Sequence, residues 1–162
     1  MLRTRLTVHL YDCPLWQHAA AAQVLAHHSL HDGRVPLDTA TPFVRDTAPA
    51  GSSAGHVASA LAGAAPGASF VLWEDPTGSA LGDLQAYAPR LGRFTAACDS
   101  NGEVVFTLDQ VLAVIERTTL SHGTDIAASM QYAMGRPWMD DWGRCLEAMR
   151  EAPDGQWPPA AG

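Results

Sequence analysis

The chain has 162 residues, of which 47% are hydrophobic, and this length and apolar content are typical of a single folded domain. The net charge is −7 and the arginines, which replace lysine throughout, are not clustered, so we expect no surface that follows nucleic-acid phosphates. No stretch approaches the ~18 apolar residues of a membrane span, and the first residues lack the apolar run of a signal peptide. Cys13, Cys98 and Cys145 form no CxxC pair, so we expect reduced thiols in a soluble, cytoplasmic protein.

The first thirty residues predict a strand followed by a helix. Leu6, Val8 and Leu10 alternate with polar residues, which is typical of a half-buried strand. Asp12 before Pro14 is a capping signal, and it predicts a helix over residues 14–30 that ends at Asp32-Gly33. The inward face of this helix is drawn through Leu15, Ala19, Ala22, Ala26 and Leu30.

The segment of residues 34–53 is rich in proline, threonine and alanine and has no clear periodicity. We expect a surface loop with the potential to act as a lid or a partner-binding loop, in which residues 42–44 could add an edge strand. A short helix is predicted over residues 54–64.

Residues 69–106 predict a four-stranded antiparallel meander. Its strands are expected at residues 69–73, 81–86, 93–98 and 104–106, and Asn101-Gly102 favours a tight turn before the last of them. Residues 99–103 superficially resemble a calcium loop, but the glycine and glutamate that such a loop requires are missing.

The last third of the chain predicts three helices. Thr107 and Gln110 fit a capping box, and Leu108, Val111, Leu112 and Ile115 form the expected inward stripe of a helix that runs to about residue 117. A second helix is expected over residues 124–134, with Ile126, Met130 and Met134 on one face, and a third from Pro137, with Trp138, Trp142, Leu146 and Met149 on one face. The predicted fold is α+β, a four- to five-stranded mainly antiparallel sheet with helices packed on one face. We expect one domain over residues 1–152 and a flexible tail over 153–162.

Candidate catalytic and metal-binding groups are scattered along the sequence. His27 and His31 have the spacing of a metal-binding pair on one helix face, for which His18, His56 or His122 could supply a further ligand, or they mark a solvated helix end, where histidine favours the dipole. Glu74, Asp75 and Asp83 could pair for acid–base chemistry, although adjacent strand residues point to opposite faces. Cys98 could meet His9 or His122 in space, or be a small buried residue on a central strand. We predict no metal site, no catalytic residue and no cofactor.

The segment of residues 135–142 is the most distinctive part of the sequence. Tryptophan and arginine dominate interface hot spots, so Arg136, Trp138, Asp141 and Trp142 are the predicted binding residues. In the alternative, both tryptophans pack inward while Asp140 and Asp141 favour a helix N-terminus.

Three stretches carry a resemblance: residues 70–76, residues 91–106, and Gly135-Arg136-Pro137-Trp138 with Asp141-Trp142. The resemblance extends over about half of the chain and is to small uncharacterised proteins of high-GC actinobacteria and their mobile elements. The resemblance implies no activity and no site residue.

We therefore expect a non-enzymatic binding or regulatory protein with a protein partner, or a homodimer, and without nucleic-acid or membrane contacts. The first alternative is a small enzyme or ligand-binding protein, with or without a metal, that has His27, His31 or Cys98 in a pocket closed by residues 34–53. The second alternative is a mobile-element accessory protein that acts against host defence.

Overall fold

The structure, a computed structural model, describes residues 3–49, 53–119, 126–133, 135, 136, 138, 140, 141, 143 and 144. The chain divides into two compact units, residues 1–105 and 106–162. The expectation of one domain over residues 1–152 stays a prediction, and the expected tail lies outside the described residues.

The first unit is built on a five-stranded antiparallel sheet, which confirms the predicted fold class. Its strands are β1 (Arg3–Asp12), β2 (Phe43–Pro49), β3 (Ser69–Glu74), β4 (Gly82–Ala88) and β5 (Gly92–Cys98), in the order β2-β1-β3-β4-β5. The expected edge strand is therefore confirmed as β2, whose 7 residues lie within the segment of residues 34–53 that the sequence predicts to be a loop.

Two helices, α1 (His18–His27) and α2 (Ser53–Ala64), pack against each other, and α2 packs on β3 and β4. The register places Leu6 opposite Glu74, Val8 opposite Leu72 and Leu10 opposite Phe70, so these side chains share one face of the sheet. Except for Glu74, these residues are apolar and belong to a core that also contains Leu25 of α1 and Leu61 of α2. The expected alternation in β1 and the expected helix over residues 54–64 are confirmed.

The predicted helix over residues 14–30 is wrong at both ends. It begins as a 3-10 helix, Leu15–Gln17, after Pro14 and without a side-chain cap, so Asp12 does not cap it. The predicted inward face is also wrong at Leu15 and Ala19, which are exposed, because the buried stripe of α1 runs instead through His18, Ala21, Ala22 and Leu25.

Helix α1 ends earlier than Asp32-Gly33 because Ser29 adopts a left-handed conformation, with φ of 58°. The N–H of Ser29 donates to the carbonyl oxygen of Ala26 at 3.0 Å, and the N–H of Leu30 donates to that of Leu25 at 2.8 Å. This pair of bonds defines a Schellman motif, in which a glycine is usual at the left-handed position.

The meander has three strands, β3 to β5, rather than four. The turn at residues 99–102 forms as predicted: Asp99 accepts the N–H of Asn101 at 2.8 Å, and Gly102 has φ of +76°. After it, residues 104–106 make an isolated bridge between Val104 and Cys98 but no strand. The chain leaves the sheet there because Thr107 begins the next helix.

In the second unit, α3 (Leu108–Thr119) and α4 (Ile126–Ala133) contact each other. The capping box is confirmed, since the N–H of Thr107 donates to Gln110 Oε1 at 2.8 Å and the N–H of Gln110 donates to Thr107 Oγ1 at 3.2 Å. The predicted inward stripe is wrong, because Leu108 is 72% exposed and Leu112 48% exposed, whereas Val114 is buried. Apolar residues occupy two overlapping stripes of α3, and periodicity alone does not choose between them.

The remaining helix predictions fall partly outside the described residues. Helix α4 lies inside the expected range of 124–134, but the side chains of Ile126, Met130 and Met134 are not among those described. The described residues from 136 to 144 have helical backbone, in agreement with the expected third helix. No helix in the described part of the chain has both the length and the apolar character needed to cross a membrane.

Candidate functional site

The predicted binding segment carries two ion pairs within its own helix. Arg136 Nε lies 2.8 Å from Asp140 Oδ1, and Arg144 pairs with Asp141 three residues earlier. Arg136 is exposed and Trp138 and Asp141 are half-buried, while Trp142 lies outside the described residues. Exposed pairs of this kind contribute only about 0–1 kcal/mol to stability. The binding role of these four residues stays a prediction.

The spacing argument for a metal-binding histidine pair fails, because α1 ends at His27 and His31 follows the left-handed Ser29. The two imidazoles therefore do not occupy one helix face. His31 Nδ1 accepts the N–H of Gly33 at 3.0 Å, and its ring packs edge-on against Phe43 at 5.3 Å. Among the described residues, no group of three or more His, Cys, Asp or Glu side chains has the arrangement of a metal site.

The described thiols lack the features of a nucleophile. Burial, with the negative charges of Asp83 and other carboxylates, raises the pKa of Cys98 to about 11, and burial raises the pKa of Cys13 to about 11 as well. Cys98 is fully buried, as expected, but it lies on β5 at the edge of the sheet rather than on a central strand. Strand β2 forms the opposite edge, so the sheet does not bring Cys98 to the segment of residues 34–53.

Two of the three candidate carboxylates, Glu74 and Asp83, are engaged in structural contacts, whereas Asp75 Oδ1 is buried without a hydrogen-bond partner among the described residues. Glu74 and Asp83 face each other across the β3–β4 ladder. Thr4 Oγ1 donates to Glu74 Oε1 at 2.6 Å, and Gln85 Nε2 donates to Asp83 Oδ1 at 2.7 Å. Gln85 in turn accepts a hydrogen bond from Arg93 at 2.8 Å. These side-chain contacts join β1 to β3 and β4 to β5.

The 3-10 helix exposes two adjacent large apolar side chains. Leu15 is 79% exposed and Trp16 is 80% exposed. The average tryptophan is well buried, and Trp is among the residues that dominate interfaces. Sequence reasoning missed this pair because it placed Leu15 on the inward face of a continuous α-helix.

The two residues that follow are polar and buried, and each bonds to backbone that is distant in sequence. Gln17 Oε1 accepts the N–H of Gly67 at 2.9 Å. The N–H of Leu37 donates to His18 Nδ1 at 3.0 Å, so the ring proton is on Nε2, which lies 2.9 Å from the oxygen of Cys13 and donates to it. Both hydrogen-bonding atoms of the neutral imidazole are satisfied inside the fold.

Gly67 explains how closely this anchor is packed. A Cβ at that position would lie 2.9 Å from Pro14 Cγ and 3.0 Å from Gln17 Oε1, so only glycine allows the α2–β3 connection to approach the turn. The backbone that carries the exposed Leu15 and Trp16 is therefore held in place by the buried contacts of Gln17 and His18. We call residues 15 and 16 the apolar turn.

The comparisons with known proteins identify a family. No match is found among curated proteins, and none among solved structures. A family model described as "Protein of unknown function (DUF3145)" matches residues 15–157. This range is most of the chain and begins at the apolar turn, so the protein belongs to the DUF3145 family.

Proposed function

We propose that the protein is a non-enzymatic binding or regulatory protein that acts through a protein–protein interface, with the apolar turn as an anchor of that interface. The observation that carries this proposal is the exposure of Leu15 and Trp16 beside two buried anchors, Gln17 and His18. The exposure of large apolar side chains to water is unfavourable, so their presence on a fixed turn supports a binding role.

The rigidity of the turn favours binding further. Association costs about 0.5–1.5 kcal/mol for each mobile side chain that is ordered, together with the cost of ordering loops. The backbone of the apolar turn is already held by the contacts of Gln17 and His18, so less ordering is required when a partner binds. A partner surface with an apolar pocket for an indole ring fits this geometry.

Arg136, Trp138, Asp141 and Trp142 are proposed as a second group of residues that contacts a protein partner. The Arg136–Asp140 and Arg144–Asp141 pairs support it by presenting ordered charges beside Trp138. A homodimer is one form that this interface could take. The absence of lysine and the alanine content support an origin in high-GC actinobacteria, and the free buried thiols of Cys13 and Cys98 support a cytoplasmic location.

The test compares Trp16→Ala with Tyr132→Ala as a matched control, because Tyr132 on α4 is also an aromatic side chain with high exposure, 76%. Sedimentation first establishes whether the wild-type protein self-associates, and affinity capture from the native cell then identifies any partner, which is purified for titration. We expect Trp16→Ala to weaken the complex or dimer by at least about tenfold, the effect of losing a hot-spot residue, and Tyr132→Ala to leave it unchanged.

The opposite pattern, with binding lost in Tyr132→Ala and retained in Trp16→Ala, would contradict the role of the apolar turn. A third variant, Trp138→Ala, tests the second contact: loss of binding with unchanged unfolding supports it, and unchanged binding refutes it. If the wild-type protein is a monomer and no captured protein binds it again after purification, the proposed function itself fails.

A further inference from the structure

Helix α3 carries a row of apolar side chains on its surface. Leu108, Leu112 and Ile115 are exposed, whereas Val114, on a different side of the helix, is buried. In an α-helix, steps of four and three residues return to the same face, so the three exposed side chains follow one another along the helix axis. We call Leu108, Leu112 and Ile115 the α3 stripe.

The spacing of the α3 stripe fits a helix as its partner. Single exposed apolar residues are ordinary on protein surfaces, but a continuous row of large ones is unfavourable in water and marks a surface that binds. The step of four residues from Leu108 to Leu112 and the step of three to Ile115 are those of the two apolar positions of a coiled-coil heptad. A second helix can therefore pack lengthwise on the stripe.

One flank of the α3 stripe is acidic. Asp109 follows Leu108 directly, is exposed, and has no ion pair with a residue in the described part of the chain. Glu116 lies two helical turns later on the same flank and is exposed as well. Both residues hold the heptad position beside the apolar seam, from which a side chain reaches the flank of a packed helix. Asp109 carries the argument that follows.

The other flank of the stripe has no charge, since Val111 and Thr118 occupy the corresponding heptad positions. Two copies of α3 that packed antiparallel would bring their acidic flanks together, which is repulsive. Two copies that packed parallel would set each acidic flank against an uncharged one, without an ionic gain. A helix with lysine or arginine beside its apolar seam complements the acidic flank, and a second copy of α3 does not.

The charge of the second unit also favours a basic partner. Residues 106–162 contain eight aspartate or glutamate residues and four arginines. The Nε of Arg117 donates to the carbonyl oxygen of Ala113 at 3.2 Å, and these two residues lie on the side of α3 opposite the stripe. An acidic surface attracts cationic partners and raises the rate at which they associate.

We propose that the α3 stripe is the docking surface for a basic amphipathic helix of another protein. The apolar side chains of that helix pack on Leu108, Leu112 and Ile115, and a lysine or arginine on its flank lies beside Asp109. In this form of recognition the apolar contact supplies affinity, and the charge selects the partner. The surface lies on the second unit and shares no residue with the apolar turn, so it goes beyond the proposed interface.

The experiment titrates the full chain into a fluorescently labelled peptide of about 18 leucine, lysine and alanine residues, a length that allows a helix to form. Its leucines repeat at steps of four and three residues, and its lysines flank them. The controls are an acidic analogue, with glutamate in place of each lysine, and a peptide of the same composition in scrambled order. We expect the basic helical peptide to bind at least about tenfold more tightly than either control, and more weakly as salt is added.

Variants of α3 locate the binding surface. Leu112→Gln places a polar side chain in the stripe and should weaken binding of the basic peptide by at least about tenfold. Ala113→Gln is the matched control, because it places the same side chain on the opposite, exposed side of the helix and should leave binding unchanged. Asp109→Asn removes the flanking charge with little change of shape and should weaken binding by about fivefold at low salt. Circular dichroism and urea unfolding accompany each variant.

The proposal is overturned if either control peptide binds as tightly as the basic helical peptide, or if Ala113→Gln weakens binding as much as Leu112→Gln does. It is also overturned if the wild type self-associates in sedimentation and Leu112→Gln is monomeric, because a second copy then covers the stripe. A large loss of unfolding free energy in Leu112→Gln, absent from Ala113→Gln, would show that the chain itself covers the stripe, and it overturns the proposal too. These results leave the Trp16→Ala binding test unaffected.

Discussion

The two ends of the first helical segment use histidine in opposite ways. At the start, His18 is buried and both of its ring nitrogens have partners inside the fold. At the end, His27 is exposed, His28 is half-buried and the groups around His28 repel its charge. Hydrogen-bond partners inside the fold, rather than residue type or spacing, therefore separate a structural histidine from one that remains at the surface.

The largest expected effect is at the buried end. His18→Ala leaves the N–H of Leu37 and the carbonyl oxygen of Cys13 without their partner, and an unsatisfied buried group costs about 1–3 kcal/mol. We expect the free energy of unfolding to fall by about 3 kcal/mol, measured by urea denaturation. His27→Ala is the matched control and should change it by less than about 0.5 kcal/mol. Equal effects of the two variants would contradict the structural role of His18.

The buried end should also lose stability in alkali. The pKa of Cys13 is 9.0 in the unfolded chain and about 11 in the fold, so the unfolded thiol ionises first. The free energy of unfolding should therefore fall as the pH rises from 9 toward 11. Cys98 contributes in the same direction, and Cys13→Ala should reduce the slope without removing it. An unchanged slope in Cys13→Ala would show that the thiol is not buried.

The exposed end should lose stability in acid instead. Because the pKa of His28 is lowered in the fold, its contribution is fully present above the unfolded value of 6.5 and is lost as the pH falls below that value. Urea denaturation in low-chloride buffer should show this loss, and His28→Gln should reduce it. A His28→Gln variant with the same acid profile as the wild type would contradict the effect of burial and of the neighbouring positive charges on His28.

Ser29→Gly should stabilise the protein slightly. Glycine adopts the left-handed conformation of this Schellman position without the strain of a Cβ, so we expect a gain of up to about 1 kcal/mol. Ser29→Ala is the matched control and should not stabilise. A loss of stability in Ser29→Gly would argue against the motif that ends α1.

Local signals in the sequence predicted local structure well. The Thr107–Gln110 capping box and the Asn101-Gly102 turn are confirmed because each depends on residues within four positions. The predicted inward face of the first helix is wrong because distant partners decide which face is buried. Gln17 bonds to a residue 50 positions away, and His18 bonds to one 19 positions away. The contact between Arg45 and the carbonyl oxygen of His28 is not predicted for the same reason, since the two residues are 17 positions apart.

The proposed interface depends on the exposure of the apolar turn, and equilibrium unfolding of Trp16→Ala tests that exposure directly. An exposed tryptophan on a turn held by Gln17 and His18 should leave the free energy of unfolding within about 0.5 kcal/mol of the wild type. A buried tryptophan would cost about 3–5 kcal/mol on removal. A loss of that size would show that Trp16 belongs to the core, and the proposed interface would lose its anchor.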